Sequence, residues 1–252
     1  MPDFLIIGAQ KCGTTSLYCY LAQHPNIITV PHKEVHFFDL NYDRGSNWYL
    51  SHFPPSKFSN KIAGEASPYY LFHPQVPARV YQHFPHVKLI VLLRNPVDRA
   101  ISQYHHEVQL GFEKLSLEEA IACEPERLEG EVEKLTTDPT YYSYNHQHYT
   151  YLARGRYLEQ LKRWRAYFPG DRFLILKTEE FYACPDRILA RVLEFLQQPT
   201  IDLPAYPSYN ARSYAEANPS IVGQLTDYFL EPNRQLSEYL QKNFQWEEAD
   251  RS

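Results

Sequence analysis

The run Phe4-Leu5-Ile6-Ile7-Gly8, followed by Ala9-Gln10-Lys11-Cys12-Gly13-Thr14-Thr15-Ser16, constrains this chain more than any other segment. An uninterrupted apolar run predicts a strand covered on both faces, as in the middle of a parallel sheet. The run feeds a glycine-bearing turn and then a helix opened by hydroxyl residues. Such a turn points backbone N–H groups outward at the positive end of a helix dipole, which makes a cradle for an anion, with phosphate as its natural occupant. The place of the lysine refines this. A nucleoside-triphosphate loop reads G-x-x-x-x-G-K-[ST]. Here Gly13 is followed by Thr14, and the lysine precedes it at Lys11. A lysine displaced upstream does not reach the same β/γ-phosphate position, so the loop suits a phosphate ligand without a γ-phosphate. The ordinary alternative is a strand–helix turn capped by Thr14.

The rest of the chain repeats the alternation. The pattern predicts strands at 4–8, 62–66, 87–93 and 172–177. It predicts helices at 14–24, 48–53, 76–84, 96–111, 117–122, 156–168 and 185–196, with two terminal helices split at Pro232. Strands alternating with helices predict an α/β fold, with a central, mainly parallel sheet flanked by helices in three layers. No internal repeat or Gly/Ser-rich linker divides the 252 residues, so a single domain over 1–252 is expected. Ligands in such sheets sit at the carboxyl ends of strands, here Gly8, Glu65, Leu93/Arg94 and Lys177. Residues 124–148 are charged, then rich in Tyr and His, without a clear period. They predict a surface excursion, a candidate lid or acceptor wall. His146, His148, Tyr141, Tyr142, Tyr144 and Tyr149 could stack on sugar faces there; plain loop packing is the alternative.

Charge limits the partners. A net charge of −5 offers no global attraction to nucleic acid or an anionic membrane, so an anion site must be built locally. The four cysteines, Cys12, Cys19, Cys123 and Cys184, match neither a zinc pattern nor a dense disulfide framework. They favour a reducing, cytoplasmic setting. No apolar run reaches membrane-spanning length, and the first strand begins too early for a signal peptide.

A second segment carries chemistry: Leu92-Leu93-Arg94-Asn95-Pro96-Val97-Asp98-Arg99-Ala100-Ile101-Ser102-Gln103-Tyr104. Arg94 stands at a strand end and Ser102 two turns into the next helix. A guanidinium and a hydroxyl converging there suit a second phosphate. Pairing of Arg94 with a surface carboxylate is the alternative.

Lys-x-Gly-Thr-Thr after a strand, with Leu-Arg-Asn-Pro-x-x-Arg-x-x-Ser-x-Tyr, resembles the sulfotransferases that use 3′-phosphoadenosine 5′-phosphosulfate (PAPS). Lys33-Glu34-Val35-His36-Phe37-Phe38-Asp39 and Gly64-Glu65-Ala66-Ser67-Pro68-Tyr69-Tyr70 are similar to the heparan-sulfate N- and 3-O-sulfotransferase branch. The likeness runs from about residue 3 to 245 and implies a P-loop-like fold. It implies that Gln10, Lys11, Cys12, Gly13, Thr14, Thr15 and Ser16 hold the 5′-phosphosulfate, and that Arg94 and Ser102 hold the 3′-phosphate. Glu65 matches an acidic catalytic base. His36 and Lys33 would touch the acceptor or assist transfer, against the alternative of a packed histidine and a solvated lysine. Asn210-Ala211-Arg212-Ser213-Tyr214 falls where a Lys-Gly-Arg loop closes over the nucleotide in relatives. Only Arg212 matches that pattern firmly, with Ser213 and Tyr214 beside it. A disulfide that some relatives carry near this loop is absent, because no cysteine follows Cys184.

The implied chemistry is an in-line displacement at sulfur, with charge demands like those of phosphoryl transfer. Lys11 would stabilise the leaving phosphate oxygen, and Glu65 would take the acceptor's proton. No metal is expected, since no Asp/His cluster has ligand spacing. The acceptor is expected to be a glycan or a sugar-bearing metabolite. Two other readings stand beside this one: an ATP-dependent small-molecule kinase, and a non-catalytic nucleotide- or glycan-binding module.

Overall fold

The structure is a computed structural model that describes residues 1–54, 61–209 and 217–246. In chain order the elements are β1 (Phe4–Gly8), α1 (Thr14–Leu21), β2 (Ile27–Thr29), α2 (Phe37–Leu40), α3 (Gly45–Leu50), β3 (Ile62–Ala66), α4 (Val76–His83), β4 (Lys88–Leu93), α5 (Pro96–Gln109), α6 (Leu117–Leu128), α7 (Glu131–Thr137), α8 (Tyr144–His148), α9 (Tyr157–Arg165), β5 (Phe173–Lys177), α10 (Thr178–Ala183), α11 (Pro185–Leu196) and α12 (Pro219–Leu240). They divide into two compact units, one of residues 1–93 and 164–211, the other of 94–163 and 212–252.

The first unit holds the sheet. Its order is β2-β3-β1-β4-β5, and every pairing is parallel. The two most apolar strands, β1 and β4, lie inside the sheet, and residues 4–8 and 89–93 are buried throughout. Apolar side chains on both faces need cover on both faces, which only an inner position provides. All strands therefore end at one edge, where β1 delivers the Gly8 turn. The short edge strand β2 was not expected. Three residues, Ile27–Thr29, carry too little pattern to read as a strand, and pairing with β3 defines it. Next to β1, Gly64 admits the Phe4 ring: a Cβ there would lie 2.4 Å from a ring carbon.

The second unit is helical. Val97, Leu117, Ile221, Leu225 and Phe229 form one of its cores. Two expectations fail here. Residues 124–148 are not an irregular excursion but the end of α6, then α7 and α8. Their burial is polar, which hides the period. Glu124 accepts from the Leu152 and Ala153 N–H groups (2.7 and 2.8 Å), and Glu131 from Lys134 and the Tyr141 hydroxyl (2.8 Å each). Likewise α12 is one helix that carries Pro232 inside it. Leu225, Phe229, Asn233 and Leu236 are buried at helical spacing across that proline, and this continuous face outweighs the missing N–H donor.

Candidate active site

The turn after β1 holds two left-handed residues, Lys11 (φ 67°) and Gly13 (φ 88°). Gly13 is the N-cap of α1, and no side chain caps that helix start. The alternative of a turn capped by Thr14 is not formed; Thr14 is buried. A helix that opens on backbone N–H groups without a side-chain acceptor suits an anionic ligand. The loop is braced from below. The buried Cys12 offers its carbonyl to the Thr178 hydroxyl (2.8 Å) at the start of α10. Ser16 is also buried, and its Oγ accepts from the Tyr209 N–H (3.0 Å). The Ser16 hydroxyl thus anchors residues 206–209, where Tyr20 also donates to the Pro207 carbonyl (3.0 Å). Gln10, Lys11 and Thr15 are half-buried.

At the neighbouring strand end lies a denser cluster. The Glu34 N–H donates to the Ala66 carbonyl that ends β3 (3.0 Å), which lays residues 33–36 along that edge. Glu34 (φ 68°) and His36 (φ 52°) are both left-handed. Lys33 pairs with Glu34, and the His36 ring meets Asp39 through Nδ1 (2.8 Å) and Glu34 through Nε2 (3.3 Å). Burial pushes the Glu34 carboxyl up, but His36 and Lys33 pull it down to about 2. Burial lowers His36, but Asp39 and Glu34 raise it to about 10. At neutral pH this cluster is a carboxylate against an imidazolium. The Glu34 side chain is 42% exposed.

Glu65 corrects an expectation. Its relative exposure is 0%, so the carboxylate does not stand open over the cleft, nor in a surface salt bridge. It accepts hydroxyls from Tyr70 (2.8 Å), Tyr49 (3.2 Å) and Ser67 (2.8 Å). Burial raises its pKa, opposed by the Ser67 and Tyr70 hydrogen bonds. A carboxyl without exposed surface reaches no acceptor in this conformation.

In the second unit, Arg94 opens the segment before α5. Its guanidinium lies 3.5 Å from Asp98, so the carboxylate pairing is present, and the side chain is 32% exposed. Asn95 caps α5 through Val97 N–H (3.0 Å), Tyr157 donates to the Arg94 carbonyl (2.9 Å), and Ser102 is buried. His146 and His148 are buried, the latter on Glu107 at 2.9 Å, so neither ring forms an open wall; Tyr142 and Tyr144 are exposed. Arg212, Ser213 and Tyr214 lie outside the described residues. Sequence reasoning missed Glu34, although it stood in the Lys33–Asp39 motif. Its signal was the charge alternation Lys-Glu-x-His, in which a left-handed turn turns neighbours into partners.

Residues 1–216 match the family model described as a sulfotransferase domain. The chain is 29% identical to the membrane-associated sulfotransferase kil1 of Dictyostelium discoideum, across 98% of this chain and 67% of that protein. It is 33% identical to the human bifunctional heparan sulfate N-deacetylase/N-sulfotransferase 3 over 86% of this chain, which spans 23% of that longer protein. Among solved structures, a sulfotransferase from Alicyclobacillus acidocaldarius superposes with a TM-score of 0.81, 31% identity, and coverage of 100% of this chain and 99% of the other.

Proposed function

This chain belongs to the sulfotransferase family, and from that premise we propose that it moves a sulfuryl group from PAPS to a hydroxyl or amine of a carbohydrate. The observation that carries the donor is the β1–α1 turn, a helix start with no side-chain cap and a lysine just before its glycine. The amides of Gly13–Ser16 would bind the 5′-phosphosulfate, with Lys11 beside the bridging oxygen. As the S–O bond breaks, negative charge grows on that oxygen, and a cation already in place stabilises it without reorganisation. Arg94 and Ser102 would take the 3′-phosphate, and Arg212, Ser213 and Tyr214 would close over the nucleotide. The family model runs through both units, in keeping with one sulfotransferase domain.

For the acceptor we assign the proton-accepting role to Glu34. It is ionised and accessible, whereas Glu65 is enclosed. His36, protonated at neutral pH and engaged with Asp39 and Glu34 through its two ring nitrogens, assists transfer by holding Glu34 in place and adding positive charge beside the acceptor rather than by acting as a base. A carbohydrate acceptor rests on the heparan sulfate relative. A cytoplasmic setting belongs to the same proposal, because all four cysteines are free thiols. Among the described residues no helix is long and apolar enough to cross a membrane.

Calorimetry with adenosine 3′,5′-bisphosphate and adenosine 5′-monophosphate tests the donor assignment. Two charge-assisted contacts to the 3′-phosphate are worth about 3 kcal/mol, so the bisphosphate should bind about 100-fold more tightly. Arg94→Ala should remove most of that difference. Equal affinity for the two nucleotides, or a preference for ATP with magnesium, would refute it.

A further inference from the structure

Glu65 is left without a part in the reaction as assigned above, yet its carboxylate accepts three hydroxyl hydrogen bonds. The wiring around it has a direction. Tyr70 and Ser67 each own one hydroxyl proton, and both protons point at Glu65, to Oε1 and Oε2 respectively. Their oxygens are then left with lone pairs only. Those lone pairs meet backbone: Tyr70 Oη accepts from the Phe37 N–H (2.9 Å) and, at longer range, the Phe38 N–H (3.4 Å), and Ser67 Oγ accepts from the His36 N–H (3.2 Å). These are three consecutive amides at the entry of α2, where a helix has no carbonyl partners of its own. They fix a turn that non-glycine residues adopt with strain, left-handed at Glu34 and His36.

We propose that Glu65 is a positioning residue: by accepting both hydroxyl protons it makes Ser67 and Tyr70 obligate acceptors for the amides of residues 36–38, and so holds the turn that presents Glu34 and His36. The assignment of an acceptor-facing role to that turn rests on the reading under Proposed function. Tyr49 supplies an internal contrast. Its hydroxyl donates to the same Oε1 (3.2 Å), while its ring stacks on Phe37 (4.7 Å), but no hydrogen bond from its hydroxyl to residues 34–39 is seen among the described residues. Loss of the Tyr49 hydroxyl subtracts a donor from Glu65 and leaves the relay intact.

The experiment compares Tyr70→Phe, Ser67→Ala, Glu65→Gln and Tyr49→Phe in the full chain. The main readout is the His36 imidazole titration followed by NMR, which needs no activity. The groups facing that ring are Asp39 and Glu34, with Lys33 paired to Glu34 and the charge of Glu65 nearby. Tyr70→Phe and Ser67→Ala should each lower the His36 pKa by at least one unit, because the loosened turn relaxes the contacts to Asp39 and Glu34. Tyr49→Phe should leave it in place. Turnover of a sulfated carbohydrate should fall at least 10-fold in Tyr70→Phe, Ser67→Ala and Glu65→Gln, with affinity for adenosine 3′,5′-bisphosphate unchanged. Should Glu65→Gln fail to fold, the two hydroxyl variants still decide the matter. An unmoved His36 in both of them, or an equal shift in Tyr49→Phe, would overturn the positioning role. A moved His36 in a protein that sulfates no carbohydrate would uphold the relay and refute the acceptor reading.

Discussion

Single residues set the electrostatics of the site. Lys11 and Glu34 carry opposite charge, both in left-handed backbone at the ends of neighbouring strands. Lys11→Ala removes a preorganised donor to the leaving oxygen and should lower turnover about 10²-fold or more. Lys11→Gly removes the same charge and also the left-handed strain, so it should match that loss of turnover while gaining up to about 1 kcal/mol in urea unfolding. Glu34→Gln should lower turnover by about 10² to 10⁴, the usual range for a lost general base, with nucleotide affinity unchanged. The three steady-state assays, read beside product-nucleotide calorimetry, check both assignments. Full turnover in Lys11→Gly would remove the lysine from the catalytic set.

At the scale of elements, the site depends on how closely β3 lies against β1. The Phe4 ring occupies the space over Gly64, with ring carbons 2.4–2.5 Å from where a Cβ would stand. That contact is with a stiff ring packed at 0% exposure, not with the end of a flexible chain. Gly64→Ala must therefore push the two strands apart. Overpacking of this kind costs about 1–3 kcal/mol. The displacement should also be felt one residue on, at Glu65. Gly64→Ala/Phe4→Leu should recover part of the loss, since the smaller side chain clears the space. Urea midpoints of the single and double variants test this. A neutral Gly64→Ala would show that the strands can slide without consequence.

Over the whole molecule, ionisable groups shifted by burial and by their charged partners set how stability follows pH. Glu124, enclosed in the second unit, is raised by burial from 4.5 to about 7, against the opposing backbone N–H bonds. A raised carboxyl contributes stability below its unfolded value of 4.5 that is lost as pH climbs through 7. His36 has the same sign in a higher window: its contribution is full below 6.5 and lost as pH rises through about 10. Glu34 opposes them only in acid, contributing above 4.5 and failing as pH falls through about 2. Thermal unfolding midpoints should thus decline from about pH 5 to pH 10. Glu124→Gln should flatten the lower part of that decline and His36→Gln the upper part. A midpoint that rises across this range would contradict both assignments.

What the sequence determined by itself was local. An apolar run, a glycine able to turn left-handed, and a lysine at fixed spacing specify the β1 turn within thirteen residues, because backbone sterics and hydrophobic burial act over that range. Four such segments in order were enough to mark the fold class and the family. The rest was decided by contacts distant in sequence. Glu65 reads as a strand-end carboxylate open to an acceptor. It is enclosed because Tyr49, sixteen residues earlier, and Tyr70, five later, converge on it, and no local pattern encodes that meeting. The helices of 124–148 escaped notice because their buried side is mostly Glu, Ser and His tied by hydrogen bonds, with Leu135 beside them, rather than a periodic aliphatic stripe. Pro232 marks a break by its own chemistry, yet the helix continues because the packed face on either side of it is worth more than one missing hydrogen bond. A side chain's preferences belong to the sequence; its exposure and its charge are properties of the neighbours that only the folded chain supplies.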